Sequence, residues 1–357
     1  MKKVGVGILG CGSISKTYIT NINEKFYDSL EIIACSDLLE ESAKVAASKC
    51  QSANNCSYKE MLENEAVEIV LNLTNSWAHF ETSRQALEAG KCVYSEKTLT
   101  LDREQAHTLV SLAKHKNLLI GGAPDTFMGA SMQSIRELID KGDCGKIYYA
   151  NTFIGMNANH PNYASKRHGG MLFDMGPYYV AGLVNLFGPV QSVSGISKKL
   201  YEKRVFGDQE YDAEIPSTST AVLEFESGVL ANFTTCSDTI YYIPKFEIFG
   251  TIANISANDP NHFSGDTTVQ FQGKEIEPIE LTHPYDTNYR GIGLVDMARV
   301  LREGLDSEKK FRANGELACH LVDVLQSIWE SSETGCAVDI KYTCERPEPI
   351  PRDGRLG

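Results

Sequence analysis

The sequence predicts an α/β protein of two parts. The first is a doubly wound parallel sheet, and the second is an α+β domain with a large open, mainly antiparallel sheet. Three observations predict this. Residues 1–122 alternate short apolar runs with helical patterns, the rhythm of strands joined by crossover helices. The turn Gly10-Cys11-Gly12-Ser13-Ile14-Ser15 links the first run to the first helix. From Ile147 onward strand patterns follow one another, with turns such as Glu226-Ser227-Gly228 that suit antiparallel pairing.

Taken in order, Val4–Leu9, Glu31–Ser36, Ile69–Leu73, Cys92–Ser95 and Leu118–Ile120 read as buried strands. Ser13–Asn23, Glu40–Lys49, His79–Ala89 and Asp102–Lys116 read as the helices between them. Gly121-Gly122 followed by Pro124 marks a seam, giving a first domain over 1–123 and a second over 124–357. The second part opens with a helix, Ser131–Lys141. Strands are expected at Ile147–Ile154, Val190–Lys198, Ser219–Phe225, Val229–Thr235, Lys245–Phe249, Ile252–Ile255 and Thr268–Gln272. Helices return at about 292–303 and 314–334, and an extended tail with Pro347, Pro349 and Pro351 runs from about 341.

Composition removes several classes of function. The chain has 357 residues and a net charge of −13, which argues against a basic nucleic-acid footprint and against docking on anionic membranes. No apolar run reaches the length of a membrane-spanning helix. The ten cysteines form no C-x-x-C pair, and the eight histidines lack zinc-binding spacings, so free thiols in a reducing cytoplasm and no metal are expected.

The glycine turn fits a dinucleotide. Gly10 permits the tight turn, Gly12 lets the backbone approach a pyrophosphate, and the helix that follows offers free N–H groups to its charge. Ser15 stands where the fingerprint prefers Gly or Ala. Asp37, at the tip of the second strand, is placed to bind both ribose hydroxyls and to repel a 2′-phosphate. Leu38 and Leu39 follow it, so no arginine is at hand for that phosphate, and NAD is favoured over NADP. Asp37 can also serve as a helix N-cap, and S-adenosylmethionine is a rival ligand for such a loop. Leu73, Thr74 and Asn75 end another strand, and His79 opens the next helix.

Lys97 follows the buried run Cys92-Val93-Tyr94-Ser95-Glu96, an unusual place for a strongly hydrated ammonium unless a ligand needs it. It falls where ligands bind in open α/β sheets, beyond the strands' carboxyl ends. Farther on, Asp174 and Tyr178 are four residues apart, which puts both on one face of a helix. Pro177 between them is expected in that helix's first turn, so Asp174 is expected near its start. A carboxylate to orient a hydroxyl and a phenol to exchange its proton suit an alcohol substrate, although a capping aspartate and a packed tyrosine fit the spacing as well.

The glycine loop, Asp37, the stretch Asn72–His79, Ala89–Lys97 and Asp174–Tyr178 together resemble the Gfo/Idh/MocA oxidoreductases. Ala123–Phe127, Asp259–Asn261, Arg290–Gly293 and Thr343–Pro347 resemble one branch of that family. The resemblance implies a Rossmann domain followed by a domain whose open sheet often forms homo-oligomers. It implies that Gly10, Cys11, Gly12, Ser13, Ile14, Asp37, Leu38, Leu73, Thr74, Asn75, His79, Glu96 and Lys97 face the cofactor. Lys97 would stand between nicotinamide and substrate, with Tyr178 and Asp174 on the substrate side. Asp125, Asn157, His160 and Arg167 complete the expected substrate contacts. Tyr178 replaces the histidine of many members, as in the glucose–fructose oxidoreductase and dihydrodiol dehydrogenase branches. Thr98 replaces the usual proline after the lysine, a change expected to loosen the lysine's placement. The implied reaction is NAD-dependent hydride transfer at a secondary alcohol of a sugar, polyol or glycoside, with C3 of an O- or C-linked glucoside foremost. A non-catalytic NAD-binding sensor on the same fold, or a dehydrogenase of inositol or dihydrodiol-type substrates, is the alternative.

Overall fold

A computed structural model describes residues 2–304 and 310–356. The chain divides into two compact units. One comprises Met1–Asp125, Tyr289–Cys319 and Leu356–Gly357, and the other comprises Thr126–Asn288 and His320–Arg355. The expected seam at 123/124 therefore marks only the first crossing. The chain returns to the first unit 164 residues later, since 289 minus 125 is 164.

The first unit holds β1 (Val4–Leu9), α1 (Ser15–Glu24), β2 (Leu30–Ser36), α2 (Glu40–Ala47), β3 (Asn54–Asn55), α3 (Tyr58–Glu63), β4 (Ile69–Asn72), α4 (His79–Glu88), β5 (Cys92–Ser95), α5 (Arg103–His115) and β6 (Ile120–Gly122). Its six strands are ordered β3-β2-β1-β4-β5-β6 and pair in parallel. The order reverses between β1 and β4, the switch point outside which ligands bind in such sheets. β1, β4 and β5 are buried along their whole length, as strands covered on both faces must be.

The second unit holds α6 (Ala130–Asp140), β7 (Ile147–Asn157), α7 (Gly170–Phe187), β8 (Val190–Lys198), β9 (Lys203–Phe206), β10 (Gln209–Asp212), β11 (Thr218–Phe225), β12 (Leu230–Cys236), β13 (Asp238–Gly250), β14 (Ala253–Ala257), β15 (Thr268–Phe271) and β16 (Ile276–Pro278). The returning segment carries α8 (Ile292–Glu303), and α9 (Gly315–Thr334) and β17 (Val338–Asp339) follow. Nine strands form one sheet ordered β16-β15-β14-β13-β7-β12-β11-β8-β17, while β9 and β10 make a separate hairpin. All neighbours in the large sheet are antiparallel except β7 and β12. β11 alternates buried with exposed residues, so one sheet face packs inward and the other is open.

The expected place of Pro177 is not the one observed. Pro177 lies in the interior of α7, seven residues past Gly170 by subtraction, and Asp174 is likewise past the first turn. Proline removes one N–H from the helix. Burial of nearly every residue of α7 offsets that loss, at about 1.5–3 kcal/mol for each large apolar side chain. Among the described residues no helix is long and apolar enough to cross a membrane.

Candidate active site

The first unit builds an open loop at its strand tips. Gly10 has φ +92°, and a Cβ there would lie 2.7 Å from the Leu73 carbonyl. Only glycine satisfies both conditions. At Gly12 an added Cβ would meet nothing within 4 Å, so the loop faces open space there. Ile14 caps α1 without a side-chain hydrogen bond, and no acidic residue occupies the first turn. The Thr17 and Tyr18 N–H groups are donated to the Ile14 carbonyl, and the helix dipole still favours an anion at this end. Ser15, the departure from the fingerprint, turns inward and donates its hydroxyl to the Gly12 carbonyl at 2.7 Å. Asp37 Oδ2 accepts the Cys11 N–H at 2.7 Å, and Oδ1 accepts the Leu39 N–H at 2.8 Å. Each carboxylate oxygen keeps a further lone pair, enough for ribose hydroxyls. Leu38 is 98% exposed beside it. A cavity of about 340 Å³ opens beside the loop, lined by Cys11, Gly12, Ser13, Lys16, Val45 and Lys49 among others. These features fit a dinucleotide.

Beyond β4 and β5 the chain is tightly pinned. Asn72 is buried; its amide donates to Thr82 Oγ1 at 2.8 Å and to Ser83 Oγ at 3.0 Å, while its oxygen accepts the Thr74 hydroxyl at 2.7 Å. That fixes the Leu73–Asn75 turn, where Leu73 is buried and Asn75 exposed. His79 is buried, with Nδ1 2.6 Å from the Thr98 carbonyl and Nε2 2.8 Å from the Thr74 carbonyl. Burial holds its pKa below the ordinary histidine value, against those two carbonyls. His79 therefore joins the turn after β4 to the segment carrying Lys97.

From Cys92 to Thr100 every residue is buried except Lys97, which is half-buried. Glu96 accepts the Lys97 backbone N–H on Oε2 at 3.0 Å and the Tyr18 hydroxyl on Oε1 at 2.9 Å. Glu96 thus spends both oxygens inside the protein and braces the lysine's backbone. Thr98 is buried and its carbonyl meets His79, a tie that opposes the loosening expected there. The Lys97–Thr98 peptide is cis.

Asp125 does not face a cleft. It is fully buried, and its Oδ2 accepts the N–H groups of Gly291 at 2.8 Å and Gly293 at 3.0 Å. It fixes the start of α8 and is corrected from substrate contact to structural anchor. Burial pushes its carboxyl pKa up, and the two N–H bonds oppose that.

In the second unit all of α7 is buried except Asp174. Tyr163, at the end of a short 3₁₀ turn after His160, donates its hydroxyl to Asp174 Oδ2 at 2.6 Å. Tyr178 is 6% exposed. Tyr242 on β13 donates its hydroxyl to Asp259, and burial, Asp259 and the neighbouring Tyr178 all push its phenol up. Tyr179 turns to the same Asp259, at 3.4 Å, and is buried. Asn157, His160 and Arg167 are exposed. His160 accepts the Asn162 N–H at 3.2 Å, so part of its polarity caps the turn. Arg167 and His160 both disfavour protonation of His168, whose pKa is lowered first by burial.

Two family profiles match this chain. The oxidoreductase family, NAD-binding Rossmann fold, matches residues 4–122, and the GFO/IDH/MocA C-terminal domain matches residues 132–256.

The chain belongs to the Gfo/Idh/MocA family of oxidoreductases.

It is an NAD(P)-binding oxidoreductase, and the glycine loop lies within the stretch matched by the NAD-binding Rossmann profile. This Gfo/Idh/MocA protein is 23% identical over 310 residues to the trans-1,2-dihydrobenzene-1,2-diol dehydrogenase of Bos taurus, covering 85% of this chain and 89% of that one. It is 27% identical over 270 residues to the D-xylose 1-dehydrogenase (NADP(+)) of Hypocrea jecorina, covering 70% and 69%. The fold is shared with levoglucosan dehydrogenase, solved with NADH and L-sorbose, at a TM-score of 0.84 and 17% identity over 95% of this chain and 99% of that one. Sequence reasoning missed Tyr163, Tyr242 and Asp259 as neighbours of the α7 pair. Tyr163 had no motif to announce it, whereas Asp259 lies in a stretch already singled out by resemblance.

Proposed function

We propose that the protein transfers hydride between NAD and a secondary alcohol of a sugar, polyol or glycoside, with C3 of an O- or C-linked glucoside as the leading substrate. One observation carries the reading. Two otherwise buried segments each leave a single charged side chain partly exposed, Lys97 after β5 and Asp174 in α7. A positive group and a carboxylate kept accessible amid such burial are suited to ligand chemistry. The alcohols and sugars in the names of the relatives support the substrate class.

In this reading Asp174, steadied by Tyr163, accepts a substrate hydroxyl. Tyr178 takes the proton of the reacting hydroxyl, and the charge of Lys97 favours its phenolate. The competing assignment makes Lys97 itself the base. Gly10, Gly12 and Asp37 would hold the dinucleotide, which would supply the hydride acceptor for the carbinol carbon. His79, Glu96 and Thr98 hold the lysine's backbone. Asn157, His160 and Arg167 supply further substrate contacts. A cytoplasmic location and a homo-oligomer formed through the open face of the nine-stranded sheet go with this reading.

A panel of sugars, polyols and glycosides with NAD⁺, followed by absorbance of the reduced cofactor, tests the substrate class. Lys97→Ala and Tyr178→Phe should each slow turnover by about a hundredfold or more. The base is the residue whose loss removes the rise of kcat/KM with pH. If neither substitution costs more than a few-fold, the mechanism is wrong. NAD should bind at least about tenfold more tightly than NADP, because Asp37 opposes a 2′-phosphate. Lys16 and Lys49 line the neighbouring cavity, so titration of both cofactors decides the point. Asp37→Ser should narrow the gap.

A further inference from the structure

One buried tyrosine ties the first helix to the lysine that follows β5. Tyr18 lies in the first turn of α1, which starts at Ser15, and is 0% exposed. Its hydroxyl donates to Glu96 Oε1 at 2.9 Å, and Glu96 Oε2 accepts the Lys97 backbone N–H at 3.0 Å. Two hydrogen bonds in series thus run from α1 to the backbone of Lys97. Glu96 is itself buried, so water is a poor substitute for either donor.

The ring that carries this hydroxyl is held in its turn. Gly291 has φ +103°, and a Cβ there would lie 3.3 Å from Tyr18 Cδ1 and 3.4 Å from Phe26 Cε2. The backbone of the returning segment therefore lies close against the tyrosine. Asn21, further along α1, donates its amide to the Arg290 carbonyl at 2.8 Å. Gly291 donates its N–H to Asp125 at 2.8 Å. These contacts all fall within the first unit. Burial, then the charges of Glu96 and Asp125, push the Tyr18 phenol's pKa up, so it stays a donor.

The tie bears on a charged side chain. Between Cys92 and Thr100, Lys97 alone stays partly exposed. Its ammonium rides on a flexible four-carbon stem, so it is placed no better than the backbone beneath it. Removing the Tyr18 hydroxyl takes a donor from a buried carboxylate, and the carboxylate must turn to find another. That turn draws Oε2 away from the Lys97 N–H.

We propose that Tyr18 is a positioning residue, which fixes Lys97 through Glu96 from the helical turn that follows the glycine loop. The effect on rate rests on the role given above to Lys97 in hydride transfer. The effect on the lysine itself needs no substrate.

The test uses the full-length protein and Tyr18→Phe, which keeps the ring and removes the hydroxyl. Without cofactor or substrate, trace acetylation by acetic anhydride and peptide mass spectrometry read the reactivity of each lysine. Lys97 should label faster in Tyr18→Phe by about threefold or more, while exposed Lys16 and Lys114 keep their rates. Glu96→Gln replaces one acceptor oxygen by an amide and should release Lys97 in the same way, which reads the tie even where Tyr18→Phe fails to fold. Unchanged labelling of Lys97 in a folded variant, or equal acceleration at all three lysines, would overturn the proposal. With a substrate from the panel, Tyr18→Phe should lower kcat by about tenfold while NAD⁺ affinity stays within about twofold. In a Lys97→Ala background the same change should cost less than about twofold. An undiminished loss there would show that Tyr18 acts other than through Lys97, and would overturn the proposal as well. Faster labelling of Lys97 with no loss of kcat would uphold the tie and overturn instead the role of Lys97 in the reaction.

Discussion

At the scale of single residues, the bond between Tyr163 and Asp174 is the contact most worth breaking. A hydroxyl donated to a carboxylate at 2.6 Å contributes about 1.5–3 kcal/mol. Tyr163→Phe removes that donor and loosens the orientation of Asp174. It should lower kcat/KM by about tenfold while NAD affinity stays as it was, which steady-state kinetics and a binding titration together measure. An equal loss in both would show that Tyr163 holds up the fold instead. The sequence revealed Asp174 because of its four-residue offset from Tyr178. It concealed Tyr163 because the contact spans eleven residues and joins a short 3₁₀ turn to α7. Asp125 misled for the opposite reason. Its surroundings read as a loop, yet its partners Gly291 and Gly293 lie more than 160 residues away. No local pattern carries that information.

At the scale of elements, strands buried on both faces were legible because a short, unbroken apolar run between turn residues suits a covered strand and little else. β1 and β5 begin and end at the expected residues, and so does β8, a half-exposed strand of the large sheet. α3 went unread although Ser57 and Glu60 form a reciprocal capping box, with the Ser57 N–H donated to Glu60 at 2.8 Å. The helix is six residues long, too short for an apolar period to declare itself. α7 was misjudged because proline usually marks a helix start, and its burial overrides that rule. α9 carries a testable acid sensitivity. His320 is buried; its Nε2 accepts the Val190 N–H at 3.0 Å, and its Nδ1 donates to the Tyr342 carbonyl at 2.8 Å. Only the neutral ring can do both, and burial lowers its pKa. The folded value lies below the unfolded one, so this stabilisation is complete above about pH 6.5 and is lost as pH falls through the folded pKa. Melting temperature should drop through that acidic window, and His320→Gln should flatten the slope. An unchanged slope would show that His320 does not set it.

At the scale of the whole molecule, the open sheet face is the feature with a visible surface consequence. Asn151 donates to Glu247 at 2.9 Å, Asn232 donates to Asn151 at 2.9 Å, and Thr220 meets Thr234 at 2.8 Å. This polar ladder stands among exposed Ile196, Val222 and Leu230. A face with polar groups already paired and apolar groups left bare suits self-association. Val222→Lys should shift the protein to a smaller species in analytical ultracentrifugation while NAD affinity is retained. A wild-type monomer at micromolar concentration would end the idea.

Asp125 also bears on how the protein comes into being. Its buried carboxylate receives its two N–H donors from Gly291 and Gly293. On the ribosome, the nucleotide unit therefore waits through the synthesis of most of the chain before that charge is satisfied. A nascent chain released at residue 125 carries every strand of the parallel sheet but lacks the segment that closes it. The Rossmann unit, though first in sequence, is completed late in translation.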